Sequence, residues 1–319
     1  MLKALANKAL GVLGYRLVRR SPGRRSRRFK DRPDALPLVA AIRRDPADAT
    51  AHAAYGALAA RHRKHHLAHA QARTAQFLQP AQAAFEDSVR VTAAALPPVL
   101  ELGHNTYHRM QALARILRDN GHRPGSSVLD VGGGHGELAA FLPGSPYLLA
   151  DPAGNGLDAT VLPAGLGPFD YVVSCHVLEH VEPAQRDGFL DALVGRMRGA
   201  VVLLNPFHVA GASEQERLRL VIDLTDADWA REHLECSLPH LRDVRDYAAR
   251  NGLTCQIEPV GALTTTMAYV FLEHFARRAD MAAELKRIDA FFNERLCDAE
   301  LSEPFPTGFA VVLKRDNGP

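Results

Sequence analysis

The chain has 319 residues, 47% of them hydrophobic, with a formal net charge of +2, which fits a globular protein with one principal domain and an accessory region. Its cysteines, Cys175, Cys236, Cys255 and Cys297, are widely spaced and form no Cys-x-x-Cys pair, which argues against a disulfide scaffold or a cysteine-built zinc module and fits a cytoplasmic protein. No apolar run approaches the roughly 20 residues that cross a bilayer.

The charge is unevenly distributed. Residues 1–30 hold ten Lys/Arg and no acid, so with 38 basic and 36 acidic residues in all, residues 31–319 keep 28 against 36, a net of −8. Residues 2–18 read as an amphipathic helix, with Leu2, Leu5, Leu10, Leu13 and Leu17 on one arc and Lys3, Lys8 and Arg19 outside it. That pattern suits a helix lying in a membrane interface, and its competitor is a helix packed on the protein's own body. Lys8 interrupts the apolar stretch, so the segment is not read as a signal peptide. Peripheral contact of residues 1–30 with the inner face of a membrane is one expectation, and packing on the protein's own body stays open beside it. No nucleic-acid partner is expected, because no stacking aromatics are interleaved. Residues 1–32 are thus a basic leader and linker.

Residues 33–100 are Ala-rich and read as helical, with breaks at Asp45-Pro46 and Gln79-Pro80. Gly56, Ala68, Ala72, Ala75 and Pro80 fall at the spacing of one tetratricopeptide-like unit, and a plain helical hairpin fits equally well. His62, His65, His66 and His69 have helical spacing but no acid or cysteine beside them, and are read as a solvated face. From residue 101 onward, short β-rich runs (Ser127–Val131, Pro146–Ala150, Phe169–Ser174, Ala200–Leu204) alternate with helical segments. That alternation predicts βαβ units and a parallel sheet. Two inserts are expected, near 208–240 with Trp229 and Glu232-His233, and near 265–300 with aromatics read as core or homodimer contacts.

The chemistry sits in Val128-Leu-Asp130-Val-Gly132-Gly-Gly134-His-Gly136-Glu-Leu138, a buried strand running into a glycine turn and then a helix. Glycines at 132, 134 and 136 let backbone approach a ligand, and a helix N-terminus offers free N–H groups. Asp151 ends the next strand, about 20 residues on, where a carboxylate can reach ribose hydroxyls. A dinucleotide fingerprint, Gly134-x-Gly136-x-x-Ala139, also fits formally. It begins two residues late after the strand and leaves Asp130 unexplained.

These residues resemble the class I (Rossmann-like) S-adenosylmethionine-dependent methyltransferases. Asp130-x-Gly132-x-Gly134-x-Gly136 looks like the family's first motif, whose acid helps hold the amino group of the methionine moiety, and Asp151 looks like its ribose acid. Asp158-Ala159 is similar to the adenine-side segment, and Phe169–Val173 to the fourth strand. Cys175 at that strand's end is counted with the cofactor contacts, and His176-Val-Leu-Glu179-His180 looks like the segment that follows. Leu253–Val260 and Thr307–Lys314 could supply the last two strands. The resemblance implies an α/β fold with a mostly parallel sheet of the seven-stranded type, preceded by an all-helical N-terminal region, and S-adenosylmethionine as cofactor. One departure is clear. Between Asp151 and Asp158 stand six residues, Pro152 to Leu157, too few for the family's helix and third strand. A shortened sheet edge follows, leaving the adenine side either open or covered by the N-terminal helices.

An oxygen acceptor needs its proton removed, and His176, Glu179 and His180 are the candidate catalytic residues. His208, after Gly199–Phe207, which looks like the family's fifth strand, could reach the same crevice, and Tyr107 and His104 are second-tier contacts. A metal site of His176, Glu179, His180 and His208 is the weaker alternative, and no metal is expected. The reading that results is O-methylation of a small-molecule or glycan or lipid-linked acceptor, similar to enzymes of bacterial surface glycans. The alternative is an inactive methyltransferase-fold protein that docks a partner through its N-terminal helices.

Overall fold

The computed structural model describes residues 28–163, 165–208, 214–297 and 305–315. The amphipathic leader helix expected over residues 2–18 lies outside them, as does the Trp229 side chain. Among the described residues no helix is long and apolar enough to cross a membrane.

The expected alternation folds as a single six-stranded sheet. Its strands are β1 (Val128–Val131), β2 (Tyr147–Ala150), β3 (Phe169–Cys175), β4 (Met197–Asn205), β5 (Leu253–Val260) and β6 (Gly308–Arg315), in the order β2-β1-β3-β4-β6-β5. β2, β1, β3 and β4 pair in parallel, and β6 runs antiparallel between β4 and β5. β1 and β2 are buried at every residue, as strands covered on both faces must be. This is the Rossmann-like arrangement with its third strand missing, so the shortened edge predicted from the six-residue gap is present at β2.

Among the described residues, five α-helices precede the sheet: α1 (Leu36–Arg44), α2 (Ala49–Arg61), α3 (His65–Leu78), α4 (Ala83–Ala94) and α5 (His104–Asp119). α2 and α3 form a close hairpin, because a Cβ at Gly56 would stand 3.1 Å from the Ala68 carbonyl oxygen. The apolar residues of this hairpin, including Tyr55, Leu58 and Leu67, belong to the same hydrophobic core as the sheet.

α3 covers the exposed edge. An edge strand carries unpaired backbone groups, and here side chains meet them. The Leu149 N–H donates to Thr74 Oγ1 at 3.3 Å, and Asn155 Nδ2 donates to the Leu149 carbonyl at 2.7 Å. Arg73, buried beside them, donates to the carbonyls of Ala139 and Ser145 and lies 5.2 Å over the Tyr147 ring. His69, expected on a solvated face, is instead buried against Thr92 Oγ1 at 3.1 Å. Burial lowers its pKa to about 4. His62, from the same series, is half-exposed and meets Asp34 at 3.1 Å, so the four histidines do not share one environment.

The remaining helices are α6 (Arg186–Val194), α7 (Glu214–Thr225), α8 (Asp228–Cys236), α9 (Leu241–Arg250), α10 (Leu263–Arg278) and α11 (Ala282–Arg295). α7 and α8 follow β4, and Val221 and Ala230 pack with Val270 of α10 in a small apolar cluster. α10 and α11 stand between β5 and β6. Tyr269 and Phe292 from that pair are buried against His104 of α5, which accounts for them as core.

Candidate active site

A cleft of about 940 Å³ opens at the carboxyl ends of β1 and β3. Ligands bind at this edge of open α/β sheets, and the volume is within the usual range for small-molecule sites. Its floor is Asp130, Gly132, Gly133, Gly134, Cys175 and His176. α5 supplies Thr106, Arg109 and Met110, and the segment from Arg28 to Pro33 supplies the opposite wall.

The glycine turn forms for conformational reasons first. Gly132 and Gly134 have φ of +73° and +59°, where a Cβ is disfavoured. Gly133 is held for a second reason, because a Cβ there would meet the Asp130 carboxylate. Asp130 is 2% exposed and accepts a hydrogen bond from the Tyr147 hydroxyl. Burial is the main cause that raises its pKa to about 7, with Asp151 and Glu137 adding to it and the Tyr147 bond opposing.

Gly136 has a different role from the one its place in the motif implies. It is outside the cleft lining, and a Cβ on it would stand 2.3 Å from Ala70 Cβ of α3. The missing side chain makes room for the N-terminal hairpin. With φ at +75°, Gly136→Ala is expected to destabilise the fold by about 2–3 kcal/mol through overpacking and left-handed backbone. Ala70→Gly in the same chain should return part of that loss in urea unfolding. Ala70→Gly alone costs about 1 kcal/mol in mid-helix, so a double variant that loses the full sum of the two single losses would show that Ala70 is not the obstacle.

Asp151 ends β2 as expected, and its carboxylate faces inward. Oδ2 accepts the Gly134 N–H at 2.9 Å, and Oδ1 accepts those of Ala153, at 2.6 Å, and Gly154. It thereby ties the glycine turn to the loop that replaces the missing helix and strand. N-terminal helices hold that loop from outside. The Tyr55 hydroxyl donates to the Gly154 carbonyl at 2.6 Å, and Arg43 Nε donates to that of Gly156 at 3.0 Å. Of the two alternatives for this side, the structure takes the covered one. Asp158 turns away from the cleft and caps a short 3-10 turn, accepting from Thr160 N at 2.9 Å and Oγ1 at 2.7 Å. Ala159, beside it, is buried in the core. Neither lines the cleft.

His176 follows β3 with φ at +54°, a left-handed conformation uncommon for a residue with a Cβ. Its Nδ1 is 3.1 Å from Glu179 Oε1, which leaves Nε2 as the ring atom not engaged with that carboxylate. Burial, and next the Arg109 charge, hold its pKa below the ordinary imidazole value against the pull of Glu179. Cys175 beside it is also buried, which pushes its thiol up to about 12, far from a thiolate at neutral pH.

His180 and Glu179 are close by but outside the cleft lining. Glu179 is fully buried and accepts from Asn205 Nδ2. His180 points Nε2 toward Glu179 Oε1 at 4.0 Å and Nδ1 toward Glu232 Oε2 at 3.8 Å, and its ring centroid is 5.6 Å from that of His233 on α8. His208 instead stacks edge-on against His240 at 4.8 Å. His104 is buried against Asn293, and Tyr107 against Phe141. Their helix does reach the cleft, but through the face at 106, 109 and 110. Arg28, Arg32, Lys64, His62 and His135 also line the cleft, and sequence reasoning gave none of them a place in the site. Three of them are basic, Arg32 being paired with Asp34 at 3.0 Å, and Glu137 lies among them.

Residues 98–256, just under half of the chain, match a family model described as a methyltransferase domain. No curated protein matches the sequence. Among solved structures, the chain is similar to phosphoethanolamine N-methyltransferase 2 from Haemonchus contortus (17% identity, 64% of this chain and 52% of that one, TM-score 0.41). It is also similar to magnesium protoporphyrin IX methyltransferase from Synechocystis PCC 6803 with bound S-adenosylmethionine (13% identity, 66% and 80%, TM-score 0.40). A third is a cyclopropane synthase from Mycobacterium tuberculosis (12% identity, 64% and 84%, TM-score 0.43). The chain spans about half the length of the Haemonchus protein. The substrates in these names are those proteins' own.

Proposed function

We propose that this chain, whose residues 98–256 match a methyltransferase domain, is an S-adenosylmethionine-dependent methyltransferase that acts on an oxygen of a small-molecule or glycan acceptor. The single observation that carries the reading is the cleft at the end of β1. There a glycine cradle that a Cβ would fill, the buried Asp130 and the cation Arg109 line one space. That donor set fits the cofactor: Asp130 suits its ammonium group, Arg109 its carboxylate, and Gly132–Gly134 the close approach of its sugar side. Bound there, the cofactor supplies an electrophilic methyl group on a sulfonium.

The protein's own share is alignment and proton removal. His176 lines the cleft with Nε2 away from Glu179, and it is the residue we assign to take the acceptor's hydroxyl proton. His180 and Glu179 support it from behind. Arg28 and Lys64 in the cleft lining favour an acceptor that carries a negative group, such as a phosphate or carboxylate.

Calorimetry of the purified chain with S-adenosylmethionine tests the reading. We expect saturable binding of one equivalent, and a folded protein that binds none would overturn it. Asp130 adds a pH signature. Its folded pKa of about 7 lies above the unfolded value near 3.9, so its contribution to the stability of the free protein is complete below about pH 4 and is lost as pH rises toward 7. A cationic ligand group beside it favours the carboxylate. Affinity should therefore rise about tenfold per pH unit up to 7 and then level off. A flat profile between pH 5.5 and 7 would remove Asp130 from the ammonium contact.

A further inference from the structure

Behind His176, two parts of the chain that are distant in sequence bring metal-ligating groups together. Glu179 and His180 come from the short turn after β3, and His233 comes from α8 in the insert after β4. One ligand atom from each, a carboxylate oxygen and two imidazole nitrogens, lies within 4.8 Å of the others. We infer that Glu179, His180 and His233 form a binding site for one divalent transition metal of the zinc class, which pins the α8 insert to the wall of the cleft.

Three observations support the site independently of the clustering. Glu179 is fully buried, and its Oε2 is taken by Asn205, while Oε1 receives no hydrogen bond. His176 Nδ1 stands 3.1 Å from that oxygen, its one close polar neighbour, in a weak alignment that does not satisfy it. A fully buried carboxylate oxygen whose one close polar contact is a poorly aligned imidazole is costly, and a cation beside it lowers that cost. The second observation is the orientation of His180. Nε2 faces the cluster while Nδ1 faces the Glu232 carboxylate, the outer-shell arrangement that fixes a metal-binding imidazole. The third is room to close. Tetrahedral ligands with bonds of about 2.0–2.2 Å sit roughly 3.4 Å apart, so the side chains must approach by about an ångström. His180, with a side chain 40% exposed, is free to move that far.

The donor set determines the class of metal. Two imidazoles and one carboxylate suit zinc, cobalt, nickel or iron over magnesium or calcium. Three protein ligands also leave a coordination position open, and the site touches the cleft through His176. The inference stands apart from the methyltransferase reading, because it is read by metal content and spectra with no acceptor or cofactor present.

The test uses the untagged full chain, stripped with a chelator and titrated with Zn²⁺ and Co²⁺. We expect one tight equivalent, visible Co²⁺ absorption bands, a raised unfolding temperature with metal, and no competition from excess Mg²⁺. His233→Ala and His180→Ala should each weaken binding roughly 100-fold or more, since loss of an outer-shell partner alone costs about 10–100-fold. His208→Ala should bind as the parent does. Glu179→Gln should also lose the metal. Should that buried change unfold the chain, the two histidine variants decide, with circular dichroism confirming their fold. Failure of the parent to bind one equivalent, or equal binding by His233→Ala, would overturn the site. Cofactor calorimetry on the same samples reports separately on the methyltransferase reading.

Discussion

His176→Ala is expected to slow methyl transfer by about 10²- to 10⁴-fold, the range for a lost general base, with affinity for S-adenosylmethionine nearly unchanged. The expectation rests on position. His176 lines the cleft, its Nδ1 is committed toward Glu179, and burial keeps its pKa below that of an ordinary imidazole. A neutral ring with Nε2 toward the acceptor can take the hydroxyl proton as the carbon–oxygen bond forms and the carbon–sulfur bond breaks. The acceptor can be found by incubating labelled cofactor with fractionated host extract, after which kcat and KM can be measured separately. A fall in kcat alone, with partial recovery in added imidazole, is the signature of a lost base. A variant that transfers methyl at the parent rate would exclude His176 from that role, and one that loses cofactor affinity instead would make it a binding residue. His180→Ala should cost much less in the same assay, because its ring lies outside the cleft lining.

The second large effect is at Asp151. Its carboxylate accepts three backbone N–H groups and so joins the glycine turn to the loop at 153–154. Hydrogen bonds to a charged acceptor contribute about 1.5–3 kcal/mol each, and here they are not independent. Asp151→Ala should therefore destabilise the fold by roughly 3–4 kcal/mol, read from urea unfolding, and should weaken cofactor binding more than about tenfold as the turn loses its anchor. Asp151→Asn separates the causes. The amide has the same size but turns a donor toward donors, so it should lose nearly as much stability as alanine. An asparagine variant as stable as the parent would show that the three N–H groups are satisfied some other way, and that Asp151 is kept for the ligand alone.

Asp151 also shows how far local sequence carries the reading. Its place at the end of β2, about 20 residues past Asp130, follows from strand length and the glycine turn, both visible as patterns. The shortened edge was legible for the same reason, since six residues cannot hold a helix and a strand. What the carboxylate bonds to was not legible, because its three partners depend on how the replacement loop folds back onto Gly134. Gly136 is similar. A glycine after a strand signals a close approach, but only the packing of α3 shows that Ala70, and not a ligand, approaches it.

Helix faces gave the other differences. Polar residues at 101–108 marked the right helix, yet Tyr107 and His104 face Phe141 and Asn293, while Thr106, Arg109 and Met110 line the cleft. Periodicity alone fixes which residues share a face, and not which neighbour that face meets. The same holds for His69, whose spacing matched an exposed stripe until α4 covered it.

The sequence by itself determined the strand and helix types, the parallel sheet with its missing strand, and the β1 turn where Asp130 and the glycines meet, because these depend on neighbours within a few residues. Only the tertiary structure decided that the N-terminal helices close the β2 edge and hold the 151–156 loop, that His176 rather than His180 reaches the cleft, and that His233 joins Glu179 and His180. Those pairings link residues about 50 to 100 positions apart. Their contacts are set by how helices and loops pack against the finished sheet, which no local pattern encodes.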